Sequence, residues 1–266
     1  MTDDCHVLPR VTVAVPSYNQ GRFLDATLRS IFAQPVAVEV MLADAGSTDD
    51  TRTVIDRWRD QLTWWRSAPD QGQPAAINEG IRHGRAPFVC WLNSDDLFLP
   101  GGLAAMVAAM DADTSIAVVY GATLLIDESG RVIGRRRAAR FSERALSRRC
   151  IISQPASLVR REAWERLGGL DQGLQLSHDY DLWCRMHQAG LRFGRIEADV
   201  AAARLHSEAK SMKQAAEMYA EATSVVRRHF DSLPLIWHMR QPFSVGGRTR
   251  GSSFERLART WRRWRV

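Results

Sequence analysis

Four polar clusters in this chain combine residue types that could do chemistry. Asn93-Ser94-Asp95-Asp96 sets two carboxylates side by side directly after the apolar run Phe88–Leu92. Hard carboxylate oxygens in that pattern suit Mg²⁺ or Mn²⁺ held together with substrate phosphates, and the same residue types also make a turn and helix cap before Pro100. Asp44-Ala-Gly-Ser-Thr-Asp-Asp50 is either a capped turn or a place where a carboxylate accepts an imide N–H, as uracil presents one. Tyr18, within Pro16-Ser-Tyr-Asn-Gln-Gly21, offers a ring for stacking on a base. In His178-Asp-Tyr-Asp-Leu-Trp183, Asp179 is a helix cap or a general base in a crevice. His206, close before Lys210 and Ser211, reads as a structural imidazole, a metal ligand or a phosphate contact. No GxGxxG follows the first apolar run and no GxxxxGK[ST] occurs, so phosphates need another counter-charge, for which a divalent cation is the simplest source.

These residues need elements to hold them. Val11–Val15 is a β-branched run suited to a buried strand, and Arg22–Gln34 has helical spacing through Phe23, Leu24, Leu28, Ile31 and Phe32. Val38–Ala43 is a second strand, after which Ser47 or Thr48 can cap a helix with Asp49 and Asp50 in its first turn. Leu62–Trp65 is a third strand. Pro74–His83 is a helix stopped by Gly84, Pro87–Leu92 a fourth strand, and Pro100 opens another helix before the long strand Ile116–Ile126. This alternation predicts an α/β fold with a mostly parallel central sheet flanked by helices. The polar turns 16–21, 44–48 and 93–96 all follow strand C-termini, the edge that carries the ligand crevice in open α/β sheets.

Beyond residue 127 the pattern is less regular. Asp127-Glu-Ser-Gly130 reads as a hairpin turn and Arg131–Arg140 as an exposed basic stretch. Strands are expected over Gln154–Val159, Phe193–Ile196 and Val200–Leu205. Helices are expected over Glu162–Leu167, Asp179–Ala189 and, as one long element, Ser207–Phe230.

The 266 residues are 45% apolar and 25% charged, which excludes wholesale disorder and a disulfide miniprotein. No apolar run approaches the ~18 residues that a membrane span needs, and the first ten residues have no secretory leader pattern. Cys5, Cys90, Cys150 and Cys184 are widely spaced, as reduced and mostly buried thiols would be. The net charge of +6 resides entirely in residues 231–266, where eight Arg face Asp231 and Glu255. The balanced body offers no nucleic-acid footprint. Residues 241–253 read as a linker. In 254–264, Phe254, Leu257, Ala258, Trp261 and Trp264 alternate with arginines at helical spacing, the composition of an interfacial helix on an anionic membrane.

Taken in order, the motifs resemble glycosyltransferase family 2. They are Val13-Ala-Val-Pro-Ser-Tyr-Asn19, Asp44-Ala-Gly-Ser-Thr-Asp-Asp-Thr51, Asp70-Gln-Gly72, Ala76-Ile-Asn78-Glu-Gly80 and Leu92-Asn-Ser-Asp-Asp96. Gln154-Pro155, Arg161-Glu-Ala-Trp-Glu-Arg-Leu-Gly-Gly-Leu-Asp171, Asp179-Tyr-Asp-Leu-Trp183 and Arg204-Leu-His206 complete the series, which spans residues 11–211. The resemblance implies a GT-A fold with an irregular C-terminal acceptor region and inverting transfer of a sugar from a nucleotide donor, with UDP expected, to a glycan or lipid-linked acceptor. It implies a nucleotide site at Pro16, Tyr18, Asn19, Asp44, Gly46, Asp70, Asn78 and Ser94. A divalent cation, Mn²⁺ or Mg²⁺, is implied at Asp95, Asp96 and His206, and a catalytic base at Asp179. Gln154, His178 and Trp183 would meet the sugars, and Lys210 and Ser211 the pyrophosphate. Residues 1–127 would then form the nucleotide-sugar half, 128–230 the acceptor and catalytic half, and 231–266 a basic tail holding a cytoplasmic enzyme on the inner face of the membrane. Two departures from the family pattern stand out: Asn93 where the metal motif usually begins with Asp, and His178 where many members carry Glu. The alternatives are a sugar nucleotidyltransferase, which would usually show a Gly-rich loop with a basic residue after the first strand, and a non-catalytic membrane-associated binding protein, which would not need Asp44, Asp95 and Asp179 together.

Overall fold

An unbroken β-branched run needs burial on both faces, and β1 (Val11–Ser17) has it at every residue. The computed structural model describes residues 8–238, with the side chains of Ser211 and Met212 left out. Cys5, the 241–253 linker and the 254–264 helix therefore lie outside the described residues. After β1 come α1 (Gly21–Phe32), β2 (Val38–Asp44), α2 (Thr51–Trp58), β3 (Trp64–Ser67), α3 (Gln73–His83) and β4 (Phe88–Trp91). Their strands form a parallel unit in the order β3-β2-β1-β4. One stripe of α1 (Phe23, Leu24, Thr27, Leu28 and Ile31) is buried against the sheet, as the helical period requires.

The second half is β5 (Leu97–Phe98), α4 (Gly102–Ala112), β6 (Ile116–Ile126), β7 (Val132–Arg136), α5 (Glu143–Arg148), β8 (Ser157–Arg160), α6 (Arg161–Arg166), α7 (His178–Gln188), β9 (Arg192–Arg204), α8 (Lys210–Lys213) and α9 (Ala215–His229). The sheet continues β4-β8-β6-β9-β5, with β7 beside β6. β8, β7 and β5 run against their neighbours, and β6 and β9 are parallel to each other. The two apolar layers of the core lie around Trp91, Trp183 and Tyr180 and around Leu24, Val40 and Met106.

Four sequence expectations are corrected. The two strands at 193–196 and 200–205 are one strand, β9, because the residues between Arg195 and Asp199 are absorbed as irregularities in the pairing with β6. The helix over 207–230 is interrupted at Gln214, whose backbone leaves the helical region. Ser47 and Thr48 do not cap α2, which starts later, at Thr51. Cys90 and Cys184 are buried as expected, but Cys150 is exposed.

At the sheet edge opposite the polar turns, the carboxylate of buried Glu39 accepts the Thr12 hydroxyl at 2.5 Å and the backbone N–H groups of Arg85 and Ala86 at 2.5 and 2.7 Å. Arg161 joins them through the Thr12 oxygen at 2.6 Å and the Ala86 carbonyl at 2.5 Å. Removing the carboxylate leaves buried donors unpaired, so Glu39→Ala is expected to lower unfolding free energy by about 3 kcal/mol. Urea denaturation checks this, and an unchanged midpoint would contradict it.

Candidate active site

The C-terminal ends of β1 and β2 meet in a rim tied by side chain to backbone. Asn19, with φ of 52°, accepts the Thr48 N–H on Oδ1 at 2.9 Å while its own N–H donates to Ser47 Oγ at 2.8 Å. Gly21 N–H donates to Asp49 Oδ2 at 2.9 Å, and Gln20 N–H to Thr51 Oγ1 at 3.2 Å. Asp44 is fully buried, and its carboxylate is engaged by the Ser47 N–H at 3.0 Å, the Ser47 hydroxyl and the Ser67 hydroxyl at 2.6 Å. Asp44 thus shapes the loop that contains Gly46, at φ 79°. Pro16 is buried in β1 opposite Ala43. Tyr18 projects from this rim with 60% of its surface exposed.

Next to the rim, Arg66 binds Glu79 at 2.6 Å and Asp70 at 3.2 Å, and Asp70 also accepts the Gly72 N–H at 2.8 Å. Gly72 has φ of 103°, and a Cβ there would collide with the Gln175 side-chain amide. Asn78, expected at the nucleotide, pairs both its amide atoms with the backbone of Leu170, at 2.8 and 2.9 Å.

After β4 the two neighbouring carboxylates separate. Asp95 Oδ2 lies 2.8 Å from His206 Nε2. Arg22 Nη2 reaches His206 Nδ1 at 3.3 Å, and a guanidinium has no acceptor, so Nδ1 accepts and Nε2 carries the proton toward Asp95. Asp96 turns the other way. It accepts the Arg204 N–H at 2.9 Å and an Asn93 Nδ2 hydrogen at 3.2 Å. Burial and the charge of Asp95 push its carboxyl well above the usual carboxylate range. Asp96 is therefore corrected from a metal ligand to a support, and no three His, Cys, Asp or Glu side chains among the described residues form a metal cluster. Asp95 and His206 remain as an O/N donor pair that fits a divalent cation sharing its other positions with phosphate oxygens, the cation displacing the Nε2 proton. Ser94 is buried and its carbonyl accepts the Thr27 hydroxyl at 2.9 Å.

The third cluster opens α7. Its entry is fixed by Glu221 of α9, which accepts the N–H groups of Gln175, Leu176 and Ser177 at 2.8, 2.6 and 2.5 Å. Burial pushes the Asp179 carboxyl up to about 6, against the backbone hydrogen bond from Tyr180 and the charge of Arg136. His178 is buried, with Nδ1 unpartnered, and burial with the charge of Lys210 brings it down to about 4. Lys210 itself is exposed and reaches Gln73 Oε1 at 3.3 Å, while Gln73 donates to Asn93 at 2.7 Å. This chain of contacts brings the 93–96 turn, the α3 entry and α8 to one crevice. The Ser211 side chain lies outside the described part.

One acceptor residue is corrected. Trp183 is fully buried in a stack with Trp91, their centroids 6.2 Å apart, so it lines no surface, although Nε1 of both rings lacks a partner. Gln154 is engaged by the Trp91 carbonyl at 2.6 Å and by Asn93 at 3.4 Å. Sequence reading missed Glu221 and Arg136. Arg136 was expected to be exposed, but it sits at the end of β7, where its charge acts on both Asp96 and Asp179. The two-residue period that sets Gly134 and Arg136 on one face and Arg135 on the other was the available signal.

The model of the family Glycosyl transferase family 2 matches residues 12–168. Chondroitin synthase of Escherichia coli is 25% identical over 210 residues, covering 78% of this chain and 30% of its own. An uncharacterized glycosyltransferase of Rickettsia typhi is 26% identical over 184 residues, covering 66% of this chain and 58% of its own. The chain thus spans between about a third and three fifths of these relatives' lengths. Among solved structures, S. aureus TarS in complex with UDP-GlcNAc has a TM-score of 0.67 at 18% identity, covering 89% of this chain and 73% of that one. A mannosyltransferase from Pyrobaculum calidifontis in complex with GDP-Man and Mn²⁺ has a TM-score of 0.65 at 22% identity, covering 89% and 70%. These likenesses show the GT-A fold.

The raised Asp179 carboxyl has a consequence for stability. The folded state holds this proton more tightly than the unfolded chain, so its contribution is complete below the unfolded pKa near 4 and is lost as pH rises through about 6. Asp179→Asn is expected to be more stable than the wild type by about 2 kcal/mol at neutral pH, with the difference closing near pH 4. Denaturant melts of both proteins across this range check it, and a constant difference would contradict it.

Proposed function

The chain belongs to glycosyltransferase family 2, and from that premise we propose that it moves a sugar from a nucleotide donor to an acceptor hydroxyl with inversion. The observations that carry the reading are the desolvated Asp179 carboxyl at the entry of α7, raised to about 6, and the Asp95–His206 pair after β4, linked by Arg136, whose charge acts on both Asp179 and Asp96. Residues 1–127 would hold the donor and 128–230 the acceptor. The exposed ring of Tyr18 would stack on the base beside the 44–51 loop. UDP is the expected nucleotide, supported by the TarS complexes with UDP and UDP-GlcNAc, with GDP as the alternative that the mannosyltransferase illustrates.

An acceptor hydroxyl is a weak nucleophile, and Asp179 would take its proton as the oxygen attacks the anomeric carbon. A carboxyl raised to about 6 is a better proton acceptor than an ordinary one and is still ionised at neutral pH. Asp95 and His206 would hold Mn²⁺ or Mg²⁺, which when bound supplies positive charge for the departing diphosphate. Lys210, with Ser211, would approach the same phosphates from the solvent side. Attack opposite the leaving group inverts the centre without a covalent enzyme intermediate. Among the described residues no helix is long and apolar enough to cross a membrane. The arginine- and tryptophan-rich segment 254–264 would instead bind the anionic inner surface, where lipid-linked acceptors are presented.

Two outcomes test this reading. Asp179→Asn is expected to lose ~10²–10⁴ in transfer rate while UDP affinity stays within a few-fold, and the wild-type rate should fall as pH drops below about 6. A variant keeping half its activity would remove Asp179 as the base. In calorimetry, UDP should bind the wild type tightly with Mn²⁺ and weakly in EDTA, and His206→Ala should abolish that difference. Equal affinity in both conditions would take Asp95 and His206 out of the metal role.

A further inference from the structure

Between Arg131 and Arg149 the chain carries eight arginines against one acidic residue, Glu143. The rest of the first 230 residues holds the compensating acidic excess, so the neutral body is strongly polarised. Arg137, Arg140, Arg144 and Arg148 are exposed, and none forms an ion pair with any described residue. Arg144 and Arg148 lie one turn apart on α5, opposite the buried Leu146.

This segment is pinned beside the proposed base. The Leu146 carbonyl accepts the hydroxyl of Tyr180, the residue after Asp179. The Ser147 carbonyl accepts Trp237 Nε1 at 2.8 Å, and the Ala139 carbonyl accepts the Tyr120 hydroxyl at 2.7 Å. At its other end, β7 delivers Arg136 toward Asp179 and Asp96. The backbone is thus fixed by buried side chains while the guanidinium groups stay in solvent.

We propose that this arginine-rich segment is a platform for a polyanionic glycan, a chain bearing phosphate or carboxylate groups that feeds its end toward Asp179. The inference rests on the transferase reading for its purpose, though the binding itself does not. Guanidinium forks match carboxylate and phosphate oxygens in pairs. Each exposed contact is weak, so several must act together and their sum must fall with salt. A membrane fits less well. The only exposed large apolar residues described on this segment are Val132 and Ile133, two side chains amid eight arginines, too small an apolar patch to insert into a bilayer.

The test uses the full chain, a fluorescent polygalacturonate oligomer, a neutral dextran oligomer of equal length, and phosphatidylcholine vesicles with and without phosphatidylglycerol. Wild type should bind polygalacturonate with steep salt dependence and ignore dextran. The combined Arg137→Gln, Arg140→Gln, Arg144→Gln and Arg148→Gln variant should lose about 10-fold or more in affinity with its melting temperature and UDP binding unchanged, while the four-lysine counterpart, which keeps the charge but not the forks, should fall between the two. A glutamine variant that binds polygalacturonate as tightly as wild type overturns the proposal, because the arginines of residues 240–265 would then be the holding group. Equal binding of dextran, or a loss of anionic-vesicle binding matching that of polygalacturonate, overturns it as well. Failure of the wild type to bind both UDP and GDP in the presence of Mn²⁺ would instead sink the transferase reading and leave the polyanion result standing.

Discussion

The pairing of Asp96 with Arg204 holds the site together. A buried carboxylate accepts the backbone N–H of Arg204, and the guanidinium of the same residue binds the carbonyls of Asp95, Asp127 and Glu128 at 3.0, 3.1 and 3.0 Å. Thr27 of α1 adds its hydroxyl to the carbonyls of Ser94 and Asp96. The end of β4, the end of β6, the end of β9 and α1 are thereby fastened at one point. Asp95 and His206, each within two residues of that point, are left facing one another. Breaking a buried, multiply bonded group of this kind costs several kcal/mol, which makes the geometry of the donor pair a property of the fold rather than of two side chains. Asn93 fits this arrangement better than a carboxylate would. Its amide donates to Asp96 and accepts from Gln73, and an aspartate carboxylate there would have no hydrogen to donate to Asp96.

Helix α7 shows how environment separates two acids of one sequence motif. Asp179 is desolvated with little hydrogen-bond compensation and its carboxyl is raised. Asp181, two residues on, is also buried, but bonds from His229 and Arg185 outweigh that burial and hold it low. Only the first is poised to exchange a proton near neutral pH, and the second is engaged in joining α7 to α9. The carboxylate of Glu221, accepting three backbone N–H groups ahead of the helix, fixes where that first turn begins.

The rim at the ends of β1 and β2 follows the same logic on a smaller scale. Asn19, Ser47, Asp49 and Thr51 use their side chains on each other's backbones, so two loops from adjacent parallel strands move as one. Asp44 sits beneath them with its oxygens occupied, leaving Tyr18 as the element of the rim most open to a ligand.

The sequence by itself determined the strands that precede the polar turns, because β-branched runs between breakers admit few other conformations. It also determined that those turns share one edge, since parallel strands place their C-termini together. Which of two adjacent carboxylates turns toward His206 was not legible. Asp95 and Asp96 are equivalent in the local pattern, and only the Arg204 N–H, 108 residues away, distinguishes them. Asn78 and Gln154 matched motif positions, yet the backbone groups of Leu170 and Trp91, supplied by distant segments, claim their amides. Arg136 belonged to a stretch expected to be exposed and Glu221 carried no local signal; their roles follow from the packing of β7 and α9. Local patterning decides which elements form and where they stop, whereas the direction of a polar side chain is decided by whichever buried partner the tertiary fold brings within hydrogen-bond reach.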